Sequence, residues 1–185
     1  MKLPRPAAIL AALRDPKRWK RWTLEALILV AIVGAITTWQ NSGLAEGMAP
    51  PLAGMRTDGS SVKLGAGKTA AGGQAAQLVV FWATWCSVCK AEAGNIESVA
   101  ADWPVISVAM QSGDRGEIAE YLAERELKLP AIADDDSDIA DAWHVRAVPA
   151  HFVVDAAGNI RFRVVGYATR WGLRARLWWA TNIPA

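Results

Sequence analysis

Apolar residues are arranged in three ways along this chain, and each arrangement predicts a different kind of element. Between Trp22 and Trp39 they are nearly continuous, with Glu25 the one charge, close to the edge of the run. Residues 40–50 are small and polar and read as a tether. Beyond them, short apolar runs alternate with stretches of helical periodicity. Leu78–Trp82 predicts a buried strand, and Cys86–Asp102 predicts a helix. Val105–Met110 is a second strand, and the turn Ser112-Gly113-Asp114 leads into a helix over Glu117–Arg125. A short apolar stretch, Leu129–Ala133, comes before Ser137 or Asp138, either of which can cap a short helix through Trp143. Ala150–Asp155 and Ile160–Val165 form a hairpin across Ala156–Asn159, and Thr169–Ala180 is a closing helix. Upstream, Met55–Leu64 predicts a small hairpin turning at Asp58-Gly59. A β-α-β unit followed by a hairpin and a last helix is an α/β sandwich around a mixed sheet.

Charge gives the continuous run its meaning. Residues 1–22 hold seven of the 20 Lys/Arg (Lys2, Arg5, Arg14, Lys17, Arg18, Lys20, Arg21) but only Asp15 of the 18 acidic residues. The rest of the chain keeps 13 basic and 17 acidic residues, which excludes a basic nucleic-acid-binding face. As a helix, Trp22–Trp39 reaches about 27 Å at ~1.5 Å per residue, close to the hydrocarbon thickness of a bilayer. A Trp at each end suits the two interfaces, and the preceding basic cluster keeps the N-terminus cytoplasmic. The expected organisation is a basic cytoplasmic arm (1–21), a transmembrane anchor (22–39), a tether (40–50) and a domain (51–185) in a periplasm-like space. The alternative is a cleaved signal peptide, for which Gly43-Leu44-Ala45 is a passable site.

The only two cysteines are three residues apart, in Trp85-Cys86-Ser87-Val88-Cys89-Lys90. A bridge that short closes almost no loop, so it adds little stability and points to chemistry instead. With Cys86 in the first turn of a helix, Cys89 lies one turn further on the same face, near enough to bridge. The helix N-terminus stabilises a thiolate and lowers the Cys86 pKa, which makes Cys86 the expected nucleophile. A more buried Cys89 then resolves the mixed disulfide. Zinc would need a second ligand pair, and His144 and His151 are far off in sequence and seven apart. No metal site and no cofactor beyond the redox-active Cys86–Cys89 disulfide is expected. Val148-Pro149 opens an apolar strand at a position that needs no ladder donor.

Together, Phe81–Lys90, Val145–Pro149 and Asp155–Ile160 resemble a thioredoxin-like fold, in the right order, from about Leu52 onward. The N-terminal run, Glu92 three residues after Cys89, and Val80 where thioredoxin proper has a buried Asp favour the membrane-anchored TlpA-like branch. Val108–Asp114 and Val165–Ala180 are similar to the suppressor-of-copper-sensitivity protein D (ScsD) group. The resemblance implies a cis Pro149 facing Cys86. It also implies that Trp85, Val148 and Pro149 meet a bound partner chain, and that a DsbD- or ScsB-like membrane protein donates electrons. Glu92 is expected to handle protons beside Cys89, against the plainer reading of an exposed helix carboxylate. The Ser87-Val88 dipeptide departs from the usual pairs and leaves the direction of electron flow open.

The function expected is a membrane-anchored periplasmic thiol–disulfide oxidoreductase acting on oxidised protein cysteines, under copper or oxidative stress. The alternatives are a reductant for apocytochrome c cysteines and a non-enzymatic copper-handling module. Other features are discounted. Gly65–Thr69 lacks the first glycine of a phosphate loop, and Asp134–Asp138 lacks the glycine and distant glutamate of a calcium loop. His144 and His151 read as structural, and Trp171, Trp178 and Trp179 as packing residues of the last helix, with at least one of the neighbours Trp178 and Trp179, about 100° apart, expected to be partly exposed near the membrane or a partner.

Overall fold

A five-residue run of β-favouring side chains, Leu78-Val79-Val80-Phe81-Trp82, supplies the central strand. In the computed structural model, residues 16–41, 43–65, 67, 72–73 and 75–183 are described. The helices are α1 (Pro16–Asn41), α2 (Ser87–Ala100), α3 (Arg115–Glu124), α4 (Asp138–Ala142) and α5 (Arg170–Asn182). The strands are β1 (Ala53–Met55), β2 (Ser61–Lys63), β3 (Gln77–Trp82), β4 (Val105–Met110), β5 (Ala131–Asp134), β6 (Ala150–Val154) and β7 (Ile160–Val165). The main sheet has the order β5-β4-β3-β6-β7, and β1 and β2 form a separate hairpin. β3 runs parallel to β4, and β4 to β5, while β6 and β7 are antiparallel additions. This is the mixed-sheet, thioredoxin-like α/β fold expected.

Alternation along the strands splits the core into two layers. On one face Val79, Phe81, Ile106, Val108 and Phe152 pack with Trp143, which follows α4. The Phe81, Trp143 and Phe152 rings meet at centroid distances of 4.8–5.8 Å, in tilted and edge-on geometry. On the other face Leu78, Val80 and Val153 meet Ile96 and Val99 of α2 and Leu173 and Leu177 of α5. Ile118 and Leu122 of α3 cover Ala109 and Ala131.

Three expectations change. The tether is shorter than residues 40–50: Leu44 and Ala45 are buried in the core, Ala45 N–H donates to the Trp143 carbonyl, and Met48 bridges Asn159. The chain divides into two units, Met1–Gln40 and Asn41–Ala185. In the first, α1 contains the expected anchor, but among the described residues no helix is long and apolar enough to cross a membrane. The side chains at 33, 37 and 39 lie outside the described residues, as does the whole of residues 1–15. Finally, Ser137 occupies the N-cap position of α4 but makes no cap bond, because its backbone is left-handed with φ 62°. The buried Asp134 carboxylate caps the helix instead, accepting from the N–H groups of Ile139 and Ala140 at 2.9 Å each.

Replacing Asp134 with Ala leaves those two N–H groups without their acceptor and should cost about 1–2 kcal/mol. Asp134→Asn should cost less. Urea unfolding checks this: the midpoint falls while the slope stays unchanged.

Candidate active site

β3 runs into α2 through Ala83-Thr84-Trp85, and this turn is held from below by the end of β4. Thr84 N–H donates to Ser112 Oγ at 3.0 Å, and Trp85 Nε1 donates to the Gln111 carbonyl at 2.9 Å. The turn places Cys86 at the N-cap of α2, one position before the first helical turn in which the sequence expectation put it. Its sulfur plays the part usually taken by a Ser or Asp oxygen: Cys89 N–H donates to Cys86 Sγ at 3.0 Å. An unpaired helix N–H is thus aimed at the atom that carries the charge of a thiolate.

Cys86 and Cys89 are joined as a disulfide, with Cα atoms 5.3 Å apart. Burial does not separate them as expected, since their exposures are 6% and 7%. Their surroundings do. Cys86 is flanked by Trp85 and Val88, which are 60% and 42% exposed. Cys89 lines a partly open cavity of about 240 Å³, together with Trp82, Glu92, Tyr121 and Pro149, and Lys90, Glu97 and Arg125 also line it.

The Val148–Pro149 bond is cis, as the resemblance implied. Val148 packs on the small cluster of Ala83, Cys86 and Cys89, and its carbonyl oxygen is 3.7 Å from Cys86 Sγ. The structure therefore brings Trp85, Val148 and Pro149 to the disulfide from two separate segments of the chain.

Glu92 is not an exposed helix carboxylate; it is 1% exposed. Cys89, Glu92, Ile96 and Val99 form the buried stripe of α2, at the i, i+3, i+7, i+10 spacing of one helix face. Two partners satisfy the carboxylate. Ala168 N–H donates to Oε2 at 3.1 Å, and the His151 Nε2 atom makes a close contact with Oε1. The other ring nitrogen, Nδ1, donates to the Val164 carbonyl at 3.3 Å. His151 is also 1% exposed.

The sequence reading missed this partnership by treating His151 as structural. A signal was present: alternation along β6 puts Ala150, Phe152 and Val154 on one face and His151 and Val153 on the other. A histidine at an inward position needs an internal partner, and Glu92 sits on the helix covering that face. His144, by contrast, is exposed in the turn after α4 and takes no part in the site. The acidic run is likewise structural, with Asp134 capping α4 and Asp135 accepting from Gly113 N–H at 3.1 Å.

Comparison with known proteins agrees with this geometry. Over 104 residues the chain is 30% identical to a thioredoxin-like protein of Haemophilus influenzae, covering 56% of this chain and 62% of that protein. Over 95 residues it is 34% identical to a thiol:disulfide interchange protein DsbE homolog of Paracoccus denitrificans, covering 51% and 52%. The chain thus spans between half and two thirds of the length of these curated relatives. The exposed lipoprotein thioredoxin Etrx1 of Streptococcus pneumoniae shares the fold, with a TM-score of 0.60 at 20% identity, covering 69% of this chain and 98% of that one. The AhpC/TSA family model matches residues 46–163, a stretch that contains both cysteines, Glu92, Val148-Pro149 and His151, and the chain belongs to that family.

Proposed function

We propose that this protein is a thiol–disulfide oxidoreductase in which Cys86 is the nucleophile and Cys89 the resolving thiol. One observation carries the reading: Cys86 caps α2 with the Cys89 N–H aimed at its sulfur, and the Cys89 sulfur is already in bonding position. In the reducing direction the Cys86 thiolate attacks a partner disulfide. One partner sulfur leaves as a thiolate and a mixed disulfide forms. Cys89, on losing its proton, attacks Cys86 Sγ, releases the second partner sulfur and closes the Cys86–Cys89 bond. Two electrons pass from the protein dithiol to the partner, and the cycle uses no group beyond the two cysteines. Exposed Trp85, with Val148 and Pro149, forms the surface on which the partner chain lies. Glu92 handles the proton of Cys89, as their shared cavity supports.

The finer reading is a membrane-tethered, periplasmic enzyme of the TlpA-like and ScsD type. It acts on oxidised protein cysteines under copper or oxidative stress and is recharged by a DsbD- or ScsB-like membrane donor. The basic arm before the apolar run supports the tether. The described large apolar side chains of α1, among them Leu24, Leu27, Ile28, Leu29, Val30, Ile32 and Ile36, are also exposed. Retention of the N-terminal segment is supported by Leu44 and Ala45. Cleavage after Ala45 would strip two buried residues from the core, along with the carbonyls to which Arg163 donates at 3.2 and 3.4 Å.

Two measurements test these readings. With dithiothreitol as reductant, the full chain should accelerate reduction of insulin disulfides, and Cys86→Ser should return the rate to background. Cys89→Ser should accumulate a mixed disulfide on non-reducing gels; a Cys86→Ser variant that traps partners equally well would reverse the assigned roles. Separately, the full chain should stay with membranes through alkaline carbonate extraction, and a chain starting at residue 43 should be released. Release of the full chain would remove the anchor from the proposal.

A further inference from the structure

Glu92 and His151 raise a question of proton count. The Val164 carbonyl can only accept, so His151 Nδ1 carries a hydrogen. Nε2 then faces Glu92 Oε1, and without a proton between them two lone pairs would be pressed together inside the protein. The contact therefore needs one more proton, held either on Nε2 or on the carboxyl. Ala168 N–H occupies Oε2 and fixes the plane of the carboxylate. The pair is closed off from solvent on both sides, yet Glu92 shares its cavity with Cys89, one helical turn away on the same face.

We propose that Glu92 and His151 form a proton-sharing dyad that serves Cys89. His151, acting through Glu92, holds the proton that Cys89 takes when the disulfide opens and returns when it closes. His151 is thus a positioning residue for the disulfide-exchange reaction, and the inference rests on the oxidoreductase reading above.

The step balances as follows. A thiolate of a reducing dithiol attacks Cys86 Sγ and breaks the Cys86–Cys89 bond. Cys89 leaves as a thiolate and takes the dyad's proton through the cavity. The dithiol's second thiolate then attacks its own sulfur in the mixed disulfide, closes the dithiol's disulfide, and releases Cys86 as a thiolate. The dyad recovers a proton from solvent. Two electrons have moved from the dithiol to the protein.

Other charged and titratable groups near the pair are few. Lys90 and Glu97 of α2 and Tyr121 and Arg125 of α3 line the cavity, and Tyr167, ahead of α5, bonds Asn95. On the flanking strands the positions opposite His151 are Val80 and Val164. Arg163 of β7 lies on the other face and pairs with Glu46, while Arg161, past the register shift at Val153 and Val154, pairs with Asp155 and donates to the Ile183 carbonyl at 3.0 Å. On α5, Arg174 bonds Ser98 and Asp102 at the far end of α2. No other described carboxylate–imidazole pair stands beside the disulfide.

The test is the rate at which dithiothreitol opens the Cys86–Cys89 disulfide of the full chain, followed across pH. Glu92→Gln and His151→Gln should each slow opening by roughly 10²–10⁴-fold, the range expected on losing an acid catalyst. The double variant should be no slower than either single one. The wild-type rate should depend on pH differently from both variants, which follow the dithiothreitol thiolate alone. In nitrogen-15 NMR of the wild-type chain, the His151 Nε2 signal should move between the oxidised and reduced states. The dyad is overturned if His151→Gln keeps the wild-type pH profile or slows the reaction equally at every pH. An Nε2 signal that is the same in both redox states overturns it too, and that measurement needs no variant to fold. Failure to reduce insulin would sink the oxidoreductase reading instead, while opening of the protein's own disulfide would still report on the dyad.

Discussion

β3 is covered on both faces, and the rest of the domain is arranged by that demand. Leu78, Val79, Val80 and Phe81 are each at most 3% exposed, so one strand needs two separate apolar layers. A parallel neighbour, β4, requires a crossover, and α2 provides it while covering the Leu78 and Val80 face. The turn from the end of β3 into α2 then has to occur at the centre of the sheet edge. That is where Cys86 stands, its sulfur capping the helix that the crossover made necessary. The antiparallel strand β6 flanks β3 on the other side and starts just after Pro149, so the cis peptide bond and the disulfide meet at the same end of the sheet. The site follows from the topology, and the loops add only Trp85 and the hydrogen bonds that hold the turn.

Much of this was legible in the chain. The continuous apolar run of β3, the strand of residues 105–110 and the hairpin of β6 and β7 lie where pattern alone puts them, because each is a buried run bounded by turn residues. Boundaries were less legible where side chains compete with backbone. α3 begins at Arg115 instead of Glu117 because Asp114 and Glu117 form a capping box that draws in the preceding turn. The short strand β5 extends to Asp134, which local pattern reads as the start of a polar loop. Its carboxylate is buried because it caps α4, and a contact between strand end and helix start has no short-range signature.

The site divides the same way. Two cysteines at helical spacing announce themselves. Glu92 was visible as a carboxylate near them, but its burial depended on α5 and the segment before it folding back so that Ala168 N–H could reach it. His151 lies 59 residues from Glu92, and only the sheet register sets it beneath α2. Equal coverage of Cys86 and Cys89 also departs from the simple picture of one outer and one inner cysteine. What distinguishes them is the kind of surface each meets: exposed Trp85 and Val88 on one side, the partly open cavity shared with Glu92 on the other.

That difference explains why a polar pair is worth keeping inside. Replacing a buried carboxylate–imidazole pair by apolar residues of similar size is commonly neutral or stabilising, because both groups lose their hydration. The positions adjoin Val80, Ile96 and Val153, where larger aliphatic side chains could extend a layer that is already apolar. Stability therefore gives little reason for Glu92 and His151. Chemistry gives a better one. A disulfide has no proton to give, and the Cys89 thiolate is released at a sulfur that is 7% exposed. Opening the bond on the Cys89 side is thus served by a proton held close by, and Glu92 shares the cavity with Cys89. The proposed dyad, with a single proton held between Glu92 and His151, meets that need.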